Sequence, residues 1–525
     1  MIRHLVVLSV IGVLIAAPLT LRERPLSPPA GQQRLVILTP HGADIRREFT
    51  EAFRDYERRE HGVEVDIDWR TPGGTSEITR FMDDRYRAAF AERFPQHRGV
   101  KDSFTKGKSP ANATPEQSAA QQAGRAAFLA SDIGIGADML FGGGEFAFRS
   151  HADKGYAVDT GLIAQEPGWF AGATPVIPQM VSGETVYDKQ GRYFGACFGV
   201  FGIAYSPERL AELGITVPPR GWGDIAGPAY FGQVTLTDPT KSGAAATTYE
   251  RILQQSMAAT PQDLSAGWTD GFSVIKRLVA NSRWITDSAS KPTRDAVRGD
   301  CVASMAIDFQ AKIEGDYATH ESGGGERLRF VVPVGGTSVS SDPIAVLRGA
   351  PNRALAAEFL HFVLSPAGQR LWSQRVGTPG GPLHTALRRY PVRRDLLGPE
   401  QRDLRSDPDE DPFAIAAGFT YHREWTGRYF LLITSLVKSI ALDPRQDLTA
   451  AWAAINAAGG PDKVPEAWAQ FCWLPVDYTE AAAISEKLDQ LKQQDPVQVV
   501  QLQRSWLEQS TIHFQLAAAL AEAGR

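Results

Sequence analysis

Two successive strand–loop–helix units constrain this chain most. Arg34-Leu-Val-Ile-Leu38 reads as a buried strand and Thr39-Pro-His-Gly42 as a loop. Asp44 to Arg59 follows with helical spacing, placing Ile45, Phe49, Phe53 and Tyr56 on one face. Gly62 stops that helix, and Val63 to Trp69 alternates as a second strand. Thr71-Pro-Gly-Gly-Thr-Ser76 is a loop that opens another helix from Glu77. A chain that returns from strand to strand through helices builds an α/β fold, with parallel-rich sheets covered on both faces. Ligands in such sheets collect beyond the carboxyl ends of the strands, where these loops gather.

At 525 residues the chain is too long for one core, so two or more lobes are expected. A net charge of -5 does not favour a nucleic-acid binder or a basic membrane-surface protein. Cys197, Cys301 and Cys472 are too few for a disulfide framework and too scattered for a zinc motif. Cys197 and Cys301, both in strand-like segments, are the pair to test. At the N-terminus Arg3 and His4 precede the apolar run Leu5 to Ala17. Residues 1–24 read as a signal peptide or an N-terminal anchor, which implies export to the periplasm or the outer face of the cytoplasmic membrane. Gln96 to Gly124 reads as a polar, exposed and mobile insertion. Further strands are expected at Asp138–Phe141, along the extended run Tyr193–Tyr205, and at Gln233–Thr237, Cys301–Ile307 and Leu328–Val334. Helices are expected at Ala354–Leu364 and Gly368–Gln374, and Ala481 to Ala523 is helical in composition apart from Pro496.

The stretch TLTDPTKSGAAATTYERIL, Thr235 to Leu253, raises a chemical question. A strand ends in a turn holding Asp238 and Thr240, Ser242 is placed to cap, and Gly243 and Ala244 begin a helix. A helix start carries about four backbone N–H groups without partners and roughly half a positive charge. Over small side chains such a start makes an anion site; close packing of the helix on a sheet is the competing explanation. A nucleotide phosphate loop is excluded, because Leu236 stands where its first glycine is required before Lys241-Ser242. There is no G-x-S-x-G elbow and no H-E-x-x-H pair, so an enzyme is not expected. A metal is the alternative ligand, with His41 and Asp308 as candidate donors. Against that, His41 reads equally as a loop residue bonding backbone, and Asp308 as a helix cap.

Taken in order, the segments resemble bacterial extracellular solute-binding proteins of ABC transporters, in the subgroup with ferric-iron, thiamine, polyamine, phosphonate and sugar-phosphate binders. The likeness rests on Ala137-Asp-Met-Leu-Phe-Gly-Gly143, Phe201-Gly-Ile-Ala-Tyr-Ser-Pro207, Pro218 to Ile225, Pro228 to Val234, the Asp238-Pro-Thr-Lys-Ser-Gly243 stretch, and Ser338-Val-Ser-Ser-Asp342 with Ala356 to Ser365. It covers roughly residues 34 to 390. The resemblance implies a two-lobed type II periplasmic-binding-protein fold with a hinge. Its parts would be a first lobe at 34–195, a second at 196–335, a return through 336–390, and a helical extension at 400–525. It implies a small solute held between the lobes and delivered to a membrane permease, with no cofactor, no catalysis and no nucleic acid. The ligand residues implied are Thr39, His41, Thr75, Ser76, Gly143 and Gly144 from one lobe and Asp238, Thr240, Ser242, Gly243 and Ala244 from the other, with Asp308 and Ser341 near the crossing. Ferric binders of this subgroup carry two adjacent tyrosines where this chain has Asp308-Phe309. An anionic group, phosphate, phosphonate or carboxylate, is therefore the expected ligand. Ferric iron, an exported enzyme and a sensor or scaffold on the same fold are the alternatives.

Overall fold

The computed structural model describes residues 32–97, 104–105 and 113–525. The N-terminal apolar run lies outside them, and among the described residues no helix is long and apolar enough to cross a membrane. The strands in chain order are β1 (Gln32–Leu38), β2 (Glu64–Arg70), β3 (Met139–Phe141), β4 (Ala157–Val158), β5 (Met180–Val181), β6 (Glu184–Thr185) and β7 (Phe194–Gly199). They continue with β8 (Phe201–Tyr205), β9 (Val234–Thr237), β10 (Ser282–Thr286), β11 (Ala303–Ile307), β12 (Arg329–Val331) and β13 (Ser340–Leu347).

The first sheet runs β2-β1-β3-β13-β4, with β7 also paired to β13. β1 is parallel to β2 and β3. β13 is antiparallel to β3, β4 and β7. The second sheet runs β10-β9-β11-β8-β12, parallel among β10, β9 and β11 and antiparallel where β8 meets β11 and β12. The α/β class stands, but both sheets are mixed rather than parallel-rich. The physical reason is the route of the chain. β8 enters the second sheet directly from β7, and β13 returns to the first sheet from the second, so neither arrives through a helix on its own sheet.

The run Tyr193–Tyr205 is two strands. The chain leaves the first sheet after Gly199, passes the buried Val200, and enters the second at Phe201. Residues 332–339 make the return crossing. On the first sheet, the helix Ala43–Glu60 buries Ile45, Phe49 and Phe53, as its spacing predicts. Of the expected insertion, 98–103 and 106–112 lie outside the described residues, and 115–124 are largely exposed as expected but belong to a helix, Pro115–Ala130, whose start has a Thr114–Gln117 capping box. Gln121, Gly124 and Phe128 on it are buried. The disulfide expectation is also corrected. All three cysteines are free, Cys197 lying in the core of the first sheet and Cys301 in a small cluster of the second. Burial pushes the Cys301 thiol up to about 12.

The C-terminal helices complete the second lobe. Leu432, Trp452, Phe471 and Phe514 share one core with Trp268, Phe272 and Leu278. Lys276 is drawn into that junction, donating to the carbonyls of Phe471 at 2.9 Å and Trp473 at 2.6 Å. Burial pulls its ammonium down to about 7. The Trp452 indole N–H donates to Asn281 Oδ1 at 2.9 Å, and Asn281 in turn holds the Ile225 and Gly227 carbonyls. Trp452→Ala is expected to cost about 3–5 kcal/mol in urea unfolding, from the cavity and the stranded amide oxygen. A loss below about 1 kcal/mol would mean that the extension is a separable cover.

Candidate functional site

The first-lobe loops close around His41. Thr39, buried at the end of β1, donates to the Phe141 carbonyl at 2.6 Å and accepts the His41 N–H at 3.0 Å. Its hydroxyl is thereby committed inside the lobe. The His41 ring meets Phe141 edge-on at 4.7 Å and sets Nε2 3.1 Å from Asp342 Oδ2. Gly142, Gly143 and Gly144 have φ of 91°, 124° and 86°, which side chains resist. A Cβ on Gly142 would lie 2.5 Å from His41 Nε2, and one on Gly143 would lie 2.9 Å from Thr75 Oγ1. The glycines therefore let backbone wrap over His41 and Thr75. A Cβ on Gly144 would meet open space. Ser76, second residue of the helix Thr75–Arg93, is exposed.

Two residues that local pattern did not single out as ligands organise this loop cluster. Asp342 on β13 accepts the Gly143 N–H at 2.7 Å and an Arg389 N–H at 2.8 Å, besides facing His41. Burial raises a carboxyl, but Arg389, His41 and the Gly143 N–H outweigh it and hold Asp342 well below the carboxylate range. Arg389 is buried, with Phe309 under its guanidinium at 4.6 Å. Asp308 begins the helix Asp308–Glu321 and is fully enclosed, its oxygens taking the N–H groups of Val200 at 3.1 Å and Phe309 at 2.7 Å. Burial lifts it to about 6 against the pull of Lys312 and Arg389. Ser341 turns away, donating to the Thr185 carbonyl at 3.2 Å. Asp308 is thus not the cap, a position held by Ile307, but the first residue of the helix, its carboxylate committed to backbone N–H groups at the crossing. Arg389 already supplies positive charge beside Asp308 and Asp342, where a cation held by His41 and Asp308 would sit. His41 Nδ1 and Arg389 Nε remain buried without partners among the described residues.

The second-lobe group is assembled as its sequence implies. Asp238 Oδ1 takes both the backbone N–H and the hydroxyl of Thr240 at 2.7 Å. Ser242 caps the helix Gly243–Ala259 by accepting the Ala245 N–H at 3.3 Å. The N–H groups of Gly243 and Ala244 have no partner among the described residues. Gly243 is exposed, and a Cβ there would meet nothing within 4 Å.

Two turns further along this helix the lobes are joined by a buried ionic cluster. Arg251 donates to Glu184 of the first lobe at 2.5 Å, to Glu250 at 2.8 Å and to Ser338 at 2.7 Å. Glu250 also accepts the hydroxyls of Tyr421 at 3.0 Å and Thr426 at 2.6 Å, and the Tyr421 ring lies 3.8 Å from the guanidinium. The segment 411–429 is therefore a strap. Phe413 packs on the first-lobe core, the Tyr421 N–H donates to the Ser182 carbonyl at 2.7 Å, and Thr426 binds the second-lobe helix. At the rim, Phe146 of the helix after the glycine loop stacks on Phe430 of the extension at 5.3 Å.

Two α/β sheets joined by two strand crossings make a two-lobed fold, with the first-lobe loops and the bare helix start of the second lobe as its candidate binding groups. Residues 137–396 match the bacterial extracellular solute-binding protein family. Among curated relatives, an uncharacterized protein of Haemophilus influenzae is 32% identical over 187 residues, 35% of this chain and 49% of its own length. The phosphoglycerate transport regulatory protein PgtC of Salmonella typhimurium is 28% identical over 173 residues, 33% of this chain and 38% of its own. The gamma-aminobutyric acid-binding protein of Pseudomonas aeruginosa is 30% identical over 191 residues, 35% and 47%. The alignments thus span half or less of each relative. Among solved structures, the fructose-6-phosphate-bound periplasmic binding protein AfuA of Actinobacillus pleuropneumoniae aligns over 80% of this chain and 98% of its own, with 19% identity and a TM-score of 0.44. Iron-bound HitA of Pseudomonas aeruginosa aligns over 77% and 99%, with 14% identity and a TM-score of 0.45.

Proposed function

We propose that this chain is the solute receptor of an ABC uptake transporter, working outside the cytoplasm and presenting its cargo to a membrane permease without turnover. The cargo proposed is a small organic anion, whose phosphate, phosphonate or carboxylate group rests on the helix start Ser242–Ala244. The observation that carries the reading is the pair of N–H groups of Gly243 and Ala244, without partners among the described residues and with open space at Gly243, at the head of a 17-residue helix. The relatives named for phosphoglycerate and for gamma-aminobutyric acid support it, since both compounds carry a carboxylate. Ferric iron is not favoured, because Asp308-Phe309 replaces the tyrosine pair and Arg389 places a fixed cation beside the carboxylates.

Thermal unfolding of the chain from residue 24 against phosphate, phosphonates, sugar phosphates, amino acids and ferric citrate tests this. A ligand at 100 times its dissociation constant stabilises a receptor by about 2.7 kcal/mol, which a melting curve resolves. Gly243→Glu is expected to abolish the shift, its carboxylate occupying the anion's place. The free variant should melt no lower than wild type, because an acidic residue in a first helical turn is favourable. An undiminished shift in this variant, or a shift with iron alone, would overturn the reading.

A further inference from the structure

We propose that the first lobe carries a zinc-class metal site on the outer side of its helix pair, formed by Glu57, His61 and Glu358. Glu57 lies in the last turn of the helix Ala43–Glu60, and His61 directly follows that helix, four positions on and one turn away. Glu358 comes from the neighbouring helix Arg353–Leu364. One donor atom from each of the three lies within 4.8 Å of the other two. His61 Nε2 and Glu358 Oε1 are 3.5 Å apart. Donors bound to one tetrahedral zinc at about 2.0–2.2 Å stand about 3.4 Å from each other, so the His61–Glu358 pair already has that spacing and Glu57 is within reach of it.

The second observation is the state of Glu57. The residue is only 3% exposed, and Oε1 is buried with no hydrogen-bond partner among the described residues. A buried carboxylate needs a proton or a cation. Burial raises its affinity for a proton, and the neighbouring Glu358 adds to that while His61 opposes it. His61 and Glu358 are 45% and 35% exposed, which leaves a way in for the ion and room for a water as fourth ligand. The Tyr56 hydroxyl donates at 3.0 Å to Glu358 Oε1, the oxygen that faces His61, and so fixes the carboxylate's orientation. Two carboxylates and one imidazole suit a borderline divalent ion better than a hard or a thiophilic one. The 18-residue helix is about 27 Å long and starts just after His41, so the cluster stands at the opposite end of the lobe from the glycine loop. A metal there would tie the two helices together rather than contact a solute.

The test uses the full chain stripped with chelator and then titrated with zinc or cobalt(II). Expected are one metal bound per chain, a rise in melting temperature, and the intense visible bands of tetrahedral cobalt. His61→Ala, at an exposed position, should melt like the wild type without metal, bind at least tenfold more weakly, and lose the bands. Glu57→Gln should bind as weakly and lose the bands too, but melt higher than wild type in the absence of metal. No metal-dependent rise in the wild type overturns the proposal, and so does equal affinity of the wild type and His61→Ala.

Discussion

Replacing Arg251 with methionine is expected to destabilise the folded chain by about 3–5 kcal/mol, seen as a fall in the urea midpoint. Methionine fills similar space but leaves Glu184 facing an apolar side chain and removes a cation from between two carboxylates. Glu184 and Glu250 are 8% and 4% exposed, so water does not replace the lost partner. The pair of Arg251 and Glu184 crosses from one lobe to the other, and Ser338, which also binds Glu184, lies on the return crossing. The same change therefore loosens the second-lobe helix whose start is the proposed anion site. Adding Glu184→Gln should recover more than half of the loss, since Glu250 keeps the hydroxyls of Tyr421 and Thr426. A single-variant loss under about 1 kcal/mol would show that the cluster is hydrated and does not hold the lobes.

What the sequence made legible is local. The alternation and spacing of residues 34–69 give β1, the first helix and β2, and Ser242 is the cap its position suggests. The groups that assemble the junction are bound over long separations. His41 reaches Asp342 across 301 positions, and Arg389 reaches it across 47. No window of sequence contains such a pair. The resemblance implies Thr39 and Ser341 as ligands from their places in the chain, yet their hydrogen bonds are made within the first lobe. One signal was available for the ionic cluster: Glu250-Arg251 is a charged pair set against Ile252-Leu253 in a helix with no other charge. Charges there must be paired or pointed outward, and the sequence alone does not say which. The C-terminal helices were legible as helices, but an apolar face declares burial without naming what covers it.

Arg389→Met is expected to cost about 3–5 kcal/mol at pH 8, and the cost should shrink on acidification. Arg389 lies beside two carboxylates that respond differently. Asp342 keeps His41 and the Gly143 N–H, and as a depressed carboxyl its stabilising effect is present above about pH 4 and lost only below it. Loss of Arg389 raises its folded value too, from a much lower starting point, and the Asp308→Asn variant separates that share. Asp308 is the reverse case, raised to about 6 in the folded chain against about 3.9 unfolded. Such a group contributes stability that is full below about pH 4 and is lost as pH rises through its folded value. Without Arg389 only Lys312 remains of the two cations that hold Asp308 down, so the folded value climbs further. Each unit of that climb makes the variant gain about 1.4 kcal/mol more than wild type between pH 8 and pH 5. Urea unfolding of both proteins at the two pH values reads the difference, and adding Asp308→Asn to the variant should remove the extra gain. A penalty equal at both pH values, or an extra gain that survives Asp308→Asn, would show that Arg389 serves Asp342 alone and that the crossing is not charged through it.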